Sequence, residues 1–335
     1  MRTRPVSVVS SLSADCPILL PLVLLAFATW ACGSSAAATP IPPTGGSRLD
    51  ALPADSVKRT PADDVYPPVL HAAEFAEPVP LPGPINTAGL EDSPFIAPDG
   101  HLYFFFTPSA AVPPEQQLFD GVTGIYVAAR AEAGWEEPQR VVLQEPGKLA
   151  LDGCADVLDD DLWFCSAREG WSGIGWFIAS LRNGEWTDWQ SAAHLLPPDG
   201  PVGELHFTSD GQTLYFHSDR QDGAGGRDLW RSDRDAGGAW SPAVNVAQVN
   251  TSADEGWPYL TPDGAELWFT RQVLGSPGIF RALRTQDGWS EPKLIVERFA
   301  GEPTLDAQGN LYFVHHYFRD GVMLEADVYF AGRRR

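Results

Sequence analysis

One short apolar motif, a leucine followed by two aromatic residues, recurs five times along the chain. The copies are Leu102-Tyr103-Phe104, Leu162-Trp163-Phe164, Leu214-Tyr215-Phe216, Leu267-Trp268-Phe269 and Leu311-Tyr312-Phe313. Successive copies lie 60, 52, 53 and 44 residues apart. A period of this size indicates a repeat protein in which each unit is one supersecondary structure.

A polar turn precedes the motif in each unit. The turns are Pro98-Asp99-Gly100, Ser209-Asp210-Gly211, Pro262-Asp263-Gly264 and Ala307-Gln308-Gly309, with Asp159-Asp160-Asp161 in the second unit. Asp-Gly between two short apolar runs is a strong hairpin signal, because glycine supplies the positive φ that the turn needs. We therefore expect each unit to open with a β-hairpin.

Two further strands follow each hairpin. Apolar runs at 124–127, 175–178, 228–230, 278–280 and 327–330 predict the third strand, and an aromatic residue shortly before proline, as in Trp240-Ser241-Pro242, marks the fourth. Four strands per unit, repeated radially, is the β-propeller arrangement. The sequence thus predicts an all-β fold with five four-stranded blades, at 88–144, 145–197, 198–249, 250–297 and 298–335 plus 70–86.

The last unit lacks its own fourth strand, because the sequence ends at Arg335. The same strand pattern occurs at 74–79, before the first unit. We therefore expect an N-terminal strand at 74–81 to pair with the strand around Val328-Tyr329-Phe330 and close the last blade. A six-bladed alternative, with a degenerate blade inside 40–86, stays open.

The third unit and its junction with the fourth carry the clearest resemblance to a known family. Ser218-Asp219-Arg220, Gly225-Gly226-Arg227-Asp228-Leu229-Trp230 and the approach from Asn250 to Pro258 resemble the WD40-like, TolB-type β-propeller repeat of bacterial envelope proteins. The resemblance covers about 85–335 and implies a propeller fold. It implies little about function, because the family includes the Tol-system propeller, peptidoglycan-associated lipoproteins and peptidase-linked propellers. Five copies are fewer than the six or more usual there.

The N-terminus has the layout of an export signal. Arg2 and Arg4 precede an apolar run at 17–31, which predicts a signal peptide over 1–31. The junction Ala31-Cys32 resembles the bacterial lipoprotein processing site and implies lipidation at Cys32. Cleavage to a soluble secreted product is the alternative. Either way we expect an exported protein, and with the anchor a membrane-bound lipoprotein facing the periplasm or the cell surface.

The segment 32–68 is rich in Pro, Ala and Ser and has almost no aromatic residues. Such a composition offers too little apolar surface to offset the entropy lost on ordering. It predicts a disordered tether, followed by the propeller domain at 69–335.

Charge narrows the range of partners. The chain has 23 Lys and Arg against 44 Asp and Glu, a net charge of −21, which repels a phosphate backbone or an anionic membrane surface. We expect no nucleic-acid partner and no membrane contact beyond the lipid anchor. No phosphate loop, HExxH or nucleophile-elbow motif occurs, so no cofactor or metal is predicted.

Cys154 and Cys165 flank the Asp159-Asp160-Asp161 turn almost symmetrically. They would therefore lie opposite each other on the first two strands of the second unit. In an oxidising envelope compartment this placement predicts a disulfide.

Candidate ligand-binding residues lie on the loops that join successive units and on those between second and third strands, which should emerge on one face. They are Asp92, Arg168, Glu204, Arg220, Glu255, Trp257, Arg271, Glu302, His315 and Tyr317. An alternative interpretation is structural, with acidic and basic residues tying neighbouring blades together by ion pairs and backbone hydrogen bonds.

The sequence favours a binding or scaffolding module of the bacterial cell envelope, monomeric, with an envelope protein, peptide or glycan as partner. The alternative is a glycoside hydrolase, because some five-bladed propellers place catalytic carboxylates on the innermost strands of successive blades. Asp92, Asp152 and Glu204 occur in that order. Glycoside hydrolysis needs two such carboxylates within about 5–9.5 Å across an open pocket.

Overall fold

The computed structural model describes residues 47–170 and 172–334. Regular structure in these ranges is almost entirely β, which confirms the all-β class. Helical turns occur at Leu49–Ala51, Pro114–Gln117 and Ala193–Leu195, and no described helix is long and apolar enough to span a bilayer. The predicted signal peptide and the lipidation site at Cys32 lie outside the described residues.

The strands form groups of four antiparallel neighbours that follow the predicted units. After the short β1 (Val69–Leu70) and β2 (Val79–Pro80), the first group contains β3 (Leu90–Ile96), β4 (Leu102–Thr107), β5 (Gly124–Ala128) and β6 (Gln139–Arg140). The second contains β7 (Ala150–Leu158), β8 (Asp161–Arg168), β9 (Gly175–Arg182) and β10 (Glu185–Ser191). The third contains β11 (Leu205–Phe207), β12 (Thr213–Ser218), β13 (Asp228–Asp233) and β14 (Val244–Asn245).

The remaining strands complete the series. The fourth group contains β15 (Glu255–Leu260), β16 (Glu266–Val273), β17 (Ser276–Thr285) and β19 (Lys293–Glu297), with the short β18 (Gly288–Trp289) paired to β17. The fifth contains β20 (Ala300–Leu305), β21 (Leu311–Arg319) and β22 (Val322–Ala331). A parallel bridge between Ala326 and Leu90 connects β22 to β3 of the first group.

The fifth group takes its fourth strand from the N-terminal side, as predicted. In β2, Val79 pairs with Phe330 and Pro80 with Tyr329 of β22, and the Ala76 amide donates to the Gly332 carbonyl at 2.7 Å. The predicted 70–86 segment is divided, however. Its first residue, Leu70, belongs to β1, which pairs with β19 and extends the fourth group instead.

The recurring Leu-aromatic-aromatic motif forms the most deeply buried strand of every group. All fifteen of its residues are at most 5% exposed. This strand has a hydrogen-bonded neighbour on each side, and both of its faces pack against other apolar side chains. Burial on both faces explains why the motif is a continuous apolar run rather than an alternating one.

Apolar clusters lie between neighbouring groups. Phe104 of the first group packs with Tyr312 of the fifth, and Trp163 of the second packs with Phe216 of the third. Further clusters join the third to the fourth group, the first to the second and the fourth to the fifth. The core is therefore distributed among the sheets, and the last group contacts the first.

The predicted disulfide is present. Cys154 and Cys165 are bonded, with their Cα atoms 5.3 Å apart. Their placement differs slightly from the symmetrical one expected, because Cys165 pairs with Gly153 and Cys154 occupies a bulge in β7.

Residues 47–68, which the sequence assigns to a disordered tether, instead follow an ordered path; we call this segment the strap. Arg48 is 5% exposed, and the Tyr66 ring lies 5.4 Å from that of Phe299. The composition argument misses this order because the strap is held mainly by individual charged side chains with buried partners, which an apolar count does not register.

Candidate functional site

The strand groups have two distinct ends. We call the end with the connections between groups and between second and third strands the loop face, where the sequence places its candidate residues. The end with the hairpin turns between first and second strands is the turn face.

Three predicted basic residues of the loop face form ion pairs with nearby carboxylates. Arg168 lies 3.5 Å from Asp152, Arg271 lies 2.7 Å from Glu255 and Arg220 lies 2.9 Å from Asp199. Each guanidinium also lies over aromatic rings of its own group, as Arg271 does over Phe280 at 4.5 Å and Arg168 over Phe177 at 4.5 Å. These side chains are therefore engaged within their own strand groups.

The strap covers another part of the loop face. Asp64 of the strap pairs with His315 at 2.7 Å, and both side chains are fully buried. Lys58 pairs with Asp327 at 2.6 Å, and the Tyr317 hydroxyl donates to the same carboxylate at 3.2 Å. The predicted ligand residues His315 and Tyr317 thus lie beneath this chain's own strap.

Arg48 anchors the other end of the strap. Its guanidinium lies 3.2 Å from the Glu91 carboxylate, with both side chains at most 3% exposed. It also donates to the Ile85 carbonyl at 2.8 Å. Burial raises the pKa of Glu91 to about 7, although the Thr87 hydrogen bonds and the Arg48 charge act against this shift.

In four of the five groups, the first strand contains a β-bulge at the equivalent place. The bulge residues Ser93, Cys154, Trp257 and Glu302 all have positive φ, between 49° and 56°. A bulge redirects the side chain it carries. These four residues, together with Glu204, line one small cavity of about 50 Å³.

Carboxylates gather around the small cavity. Burial raises the pKa of Glu204 to about 7, and the Asp92 charge adds to the effect. Burial and the charges of Asp92 and Glu204 raise the pKa of Glu302 well above its usual value. Neither carboxylate oxygen of Glu302 has a hydrogen-bond partner among the described residues, and Asp92 lies 3.4 Å from His316.

Trp257 and His217 lie beside the carboxylates of the small cavity. Trp257, 8% exposed, has the Arg227 guanidinium 4.9 Å from its ring centre. Burial, with the Arg227 charge, lowers the pKa of His217 well below its usual value, so this imidazole is neutral. No three His, Cys, Asp or Glu side chains within residues 47–170 and 172–334 are arranged to hold a metal ion.

A large cavity in the described part of the chain opens on the turn face, opposite the predicted site. Its volume is about 1590 Å³, above the roughly 300–1,000 Å³ typical of small-molecule pockets. Phe95, Tyr103, Trp186, Trp189, Phe207 and Tyr259 supply its aromatic lining, and the hairpin turns of all five groups contribute to its rim.

A buried acid–histidine pair lies at the inner end of this turn-face cavity. Asp156 Oδ2 is 2.6 Å from His206 Nδ1, and His206 Nε2 is 3.2 Å from the Leu260 carbonyl. Each ring nitrogen of His206 therefore has an oxygen neighbour. The Tyr259 ring, 4.8 Å away, packs against the same imidazole.

The outer wall of the turn-face cavity is held by an aromatic hydrogen bond between two groups. Trp186 Nε1, on β10, donates to the Tyr103 hydroxyl on β4 at 3.2 Å. Trp189 follows on β10 after an irregular stretch in which Asp188 has a φ of 57°. Both tryptophans are partly exposed and present ring surface to the cavity.

The sequence did not reveal the turn-face cavity, because the Asp-Gly turns were interpreted only as hairpin connections and candidate residues were placed on the loop face. The available signal was Trp186 with Trp189, since the equivalent segments of the first, third and fourth units have one tryptophan each. The bulges also had a signal: Ser93, Trp257 and Glu302 each precede a proline.

No family model and no curated protein matches this chain. Among solved structures, a thermostable family-43 glycoside hydrolase is 11% identical with a TM-score of 0.47, over 75% of this chain and 91% of that one. Putative TolB from Agrobacterium tumefaciens is 15% identical with a TM-score of 0.38, over 73% and 91%. The catalytic domain of a Coprinopsis cinerea GH62 α-L-arabinofuranosidase is 11% identical with a TM-score of 0.43, over 75% and 94%. At such scores no ligand or reaction is transferred to this chain.

Proposed function

We propose that this chain is an exported, monomeric five-bladed β-propeller that serves as a binding or scaffolding module of the bacterial cell envelope. Its ligand, an envelope protein, peptide or glycan, enters the turn-face cavity. The observation that carries this proposal is the cavity itself, which is large, open and lined by aromatic side chains.

Contacts between successive strand groups support the five-bladed ring. Every group shares an apolar cluster with the next one in sequence, and the fifth shares one with the first. The Ala326–Leu90 bridge joins the same two groups. A cyclic order of contacts is what a closed propeller requires, and the small cavity with its four bulges then lies at the centre of the ring.

The turn face suits ligand binding better than the loop face. The predicted loop-face residues Arg168, Arg271 and His315 already have charged partners, and separating such pairs leaves a charge uncompensated. The aromatic surface of Trp186 and Trp189 needs no such separation.

Binding is tested by screening the full chain against peptide and glycan arrays, then measuring each hit by calorimetry on two variants. Trp189→Ala removes a partly exposed ring of the turn-face cavity. Phe119→Ala removes a partly exposed ring of the connection between β4 and β5, on the loop face. We expect only Trp189→Ala to weaken binding. Loss of affinity in Phe119→Ala alone would place the ligand on the loop face and refute the proposal.

Export and anchoring belong to the same proposal and have their own test. The full chain, produced in a Gram-negative bacterium, should enter the membrane fraction and incorporate labelled palmitate. Cys32→Ser should abolish the label and release the protein. Labelling that persists in the variant would refute lipidation at this residue.

A glycoside hydrolase is the second candidate, favoured by one observation. The pKa of Glu204 is raised to about 7 beside the charge of Asp92, a pattern that suits a general acid with a neighbouring ionised carboxylate. Against it, Asp152 pairs with Arg168, and the small cavity, at about 50 Å³, is too small for a sugar ring. Hydrolysis of aryl glycosides that disappears in Glu204→Gln would revive this function.

A further inference from the structure

The turn-face cavity carries an excess of negative charge. Its lining includes the carboxylates of Asp99, Asp156, Asp159, Glu185, Asp263 and Asp306 and the cationic residues Arg140 and Arg333. Asp156 Oδ2 lies 2.6 Å from His206 Nδ1, and Asp306 lies 3.3 Å from Arg130. Asp99 Oδ2 lies 2.9 Å from His101 Nδ1.

Neither arginine of the lining neutralises the rim. The Arg140 guanidinium donates to the Thr123 carbonyl at 3.3 Å, at the loop-face end of its group. Arg333 lies 3.5 Å from Glu266, a carboxylate outside the cavity lining. Their charges are directed to partners elsewhere.

Three rim carboxylates, Asp159, Glu185 and Asp263, have no cationic partner among the described residues. Asp263 accepts hydrogen bonds from the Thr261 hydroxyl and the Ala265 amide, which lower its pKa and keep it ionised. Asp159 and Glu185 are exposed, and no hydrogen bond to either carboxylate occurs in this part of the chain. The rim thus presents several fixed negative charges above an aromatic wall.

A strand with one unpaired edge lies beside the turn-face cavity. β10 is the end strand of its sheet, so one edge of its backbone has no ladder partner, and five of the residues between Gly184 and Trp189 line the cavity. An extended peptide can add to such an edge through main-chain hydrogen bonds. A glycan has no peptide backbone, so it cannot add a strand to this edge.

Resting on the proposed function, we infer that the turn-face cavity binds an extended basic peptide segment. Lysine or arginine side chains of the segment meet Asp159, Glu185 and Asp263 at the rim, and its apolar side chains contact Trp186 and Trp189. The cavity volume accommodates several residues rather than a single small molecule.

The test uses the full chain with its processed N-terminus and three probes: a six-residue peptide alternating lysine and leucine, the same peptide with glutamate for lysine, and chitohexaose. Calorimetry measures each affinity at low and high sodium chloride. We expect the lysine peptide alone to bind, and its affinity to fall as salt rises, because exposed ion pairs are screened.

Paired substitutions test whether the rim carboxylates contact the lysine side chains of the peptide. Asp159→Asn with Glu185→Gln should weaken lysine-peptide binding about fivefold. The matched control is Asp320→Asn with Glu115→Gln, two exposed carboxylates of the loop face, and it should leave the affinity unchanged. Asparagine suits both aspartate sites, because Asp159 and Asp320 have φ of 54° and 53°.

The remaining outcomes separate this inference from the proposed function. If chitohexaose or the glutamate peptide binds, and Trp189→Ala weakens that binding, the cavity is a binding site but the basic-peptide inference is overturned. If the lysine peptide binds equally to both paired variants, the rim charges are not its partners and the inference also fails. If no probe binds, the ligand class is wrong, and the array screen decides the proposed function by itself.

Discussion

The two faces of the molecule use charge in opposite ways. On the loop face, carboxylates and cations are buried and matched, partly within strand groups, as in Glu255 with Arg271, and partly by the strap, as in Glu91 with Arg48. On the turn face, carboxylates such as Asp159 and Glu185 are exposed and unmatched around an open cavity. Buried matched charge stabilises a structure only while both partners stay, whereas exposed unmatched charge is available to a ligand.

The largest effect should come from breaking a buried pair of the strap. Arg48→Met leaves the Glu91 carboxylate buried without its cation, so we expect a loss of about 3–5 kcal/mol in the free energy of unfolding. Urea unfolding followed by tryptophan fluorescence measures it. Arg333→Met is the turn-face control, because its pair with Glu266 is partly exposed, and it should cost at most about 1 kcal/mol. Equal losses in the two variants would show that the buried strap pair stabilises the fold no more than the partly exposed pair does.

The disulfide should come next. It closes the hairpin that runs from the small cavity, where Cys154 lies, to the turn-face rim, where Asp159 lies. Replacing both cysteines by serine opens a short loop and should lower the free energy of unfolding by about 2–3 kcal/mol. Adding a reductant to the unmodified chain should reproduce this loss in urea unfolding, while having no effect on the double variant. A reductant effect that persists in the variant would contradict this account.

A smaller and pH-dependent effect is expected at Glu302. The pKa of this carboxyl is raised in the fold from its ordinary value of 4.5. As the pH rises above 4.5 the unfolded chain releases this proton first, so the folded state loses stability with rising pH. Glu302→Gln removes that penalty and should stabilise the fold by about 1–3 kcal/mol at pH 8, with little change at pH 4.

Thermal unfolding of Glu302→Gln across this pH range gives the measurement. Glu77→Gln, at an exposed position, is the control and should leave the melting temperature unchanged at every pH. A variant curve parallel to that of the unmodified chain would show that Glu302 does not titrate differently in the fold.

The smallest effect should come from the turn-face wall. Trp186→Phe removes the hydrogen bond to the Tyr103 hydroxyl and should lower the free energy of unfolding by about 0.5–1.5 kcal/mol. Tyr103→Phe removes the same bond from the other side. The double variant should therefore lose less than the sum of the two single losses. Additive losses would show that the two side chains do not interact.

The repeat and the order of strands could be predicted because they rest on local patterns, and the pairing of β2 with β22 followed from the repeat, because the last unit lacks a fourth strand and the same pattern occurs before the first unit. A Leu-aromatic-aromatic run is buried wherever a strand is covered on both faces, and an Asp-Gly turn specifies the hairpin before it. The Cys154–Cys165 bond was predictable for the same reason, since the hairpin brings the two residues together.

The candidate site was only partly predictable. The sequence singled out Asp92, Glu204 and Glu302, which lie in or beside the small cavity. The proline after Glu302 did not by itself show that a bulge turns this side chain inward, and the size of the space had no local signal. It also could not show which charges find partners. Asp152 and Asp159 are equally acidic in the sequence, yet one pairs with Arg168 and the other stays exposed.

The sequence by itself determined the architecture of this protein, because each unit of about fifty residues encodes its own strands through spacing and turn chemistry. Only the tertiary structure decided which face is covered and which is open. The strap residues Arg48, Lys58 and Asp64 meet partners up to 269 positions away, and the turn-face cavity exists only between side chains of different units. Contacts at such separations depend on how the groups pack, which no local pattern specifies.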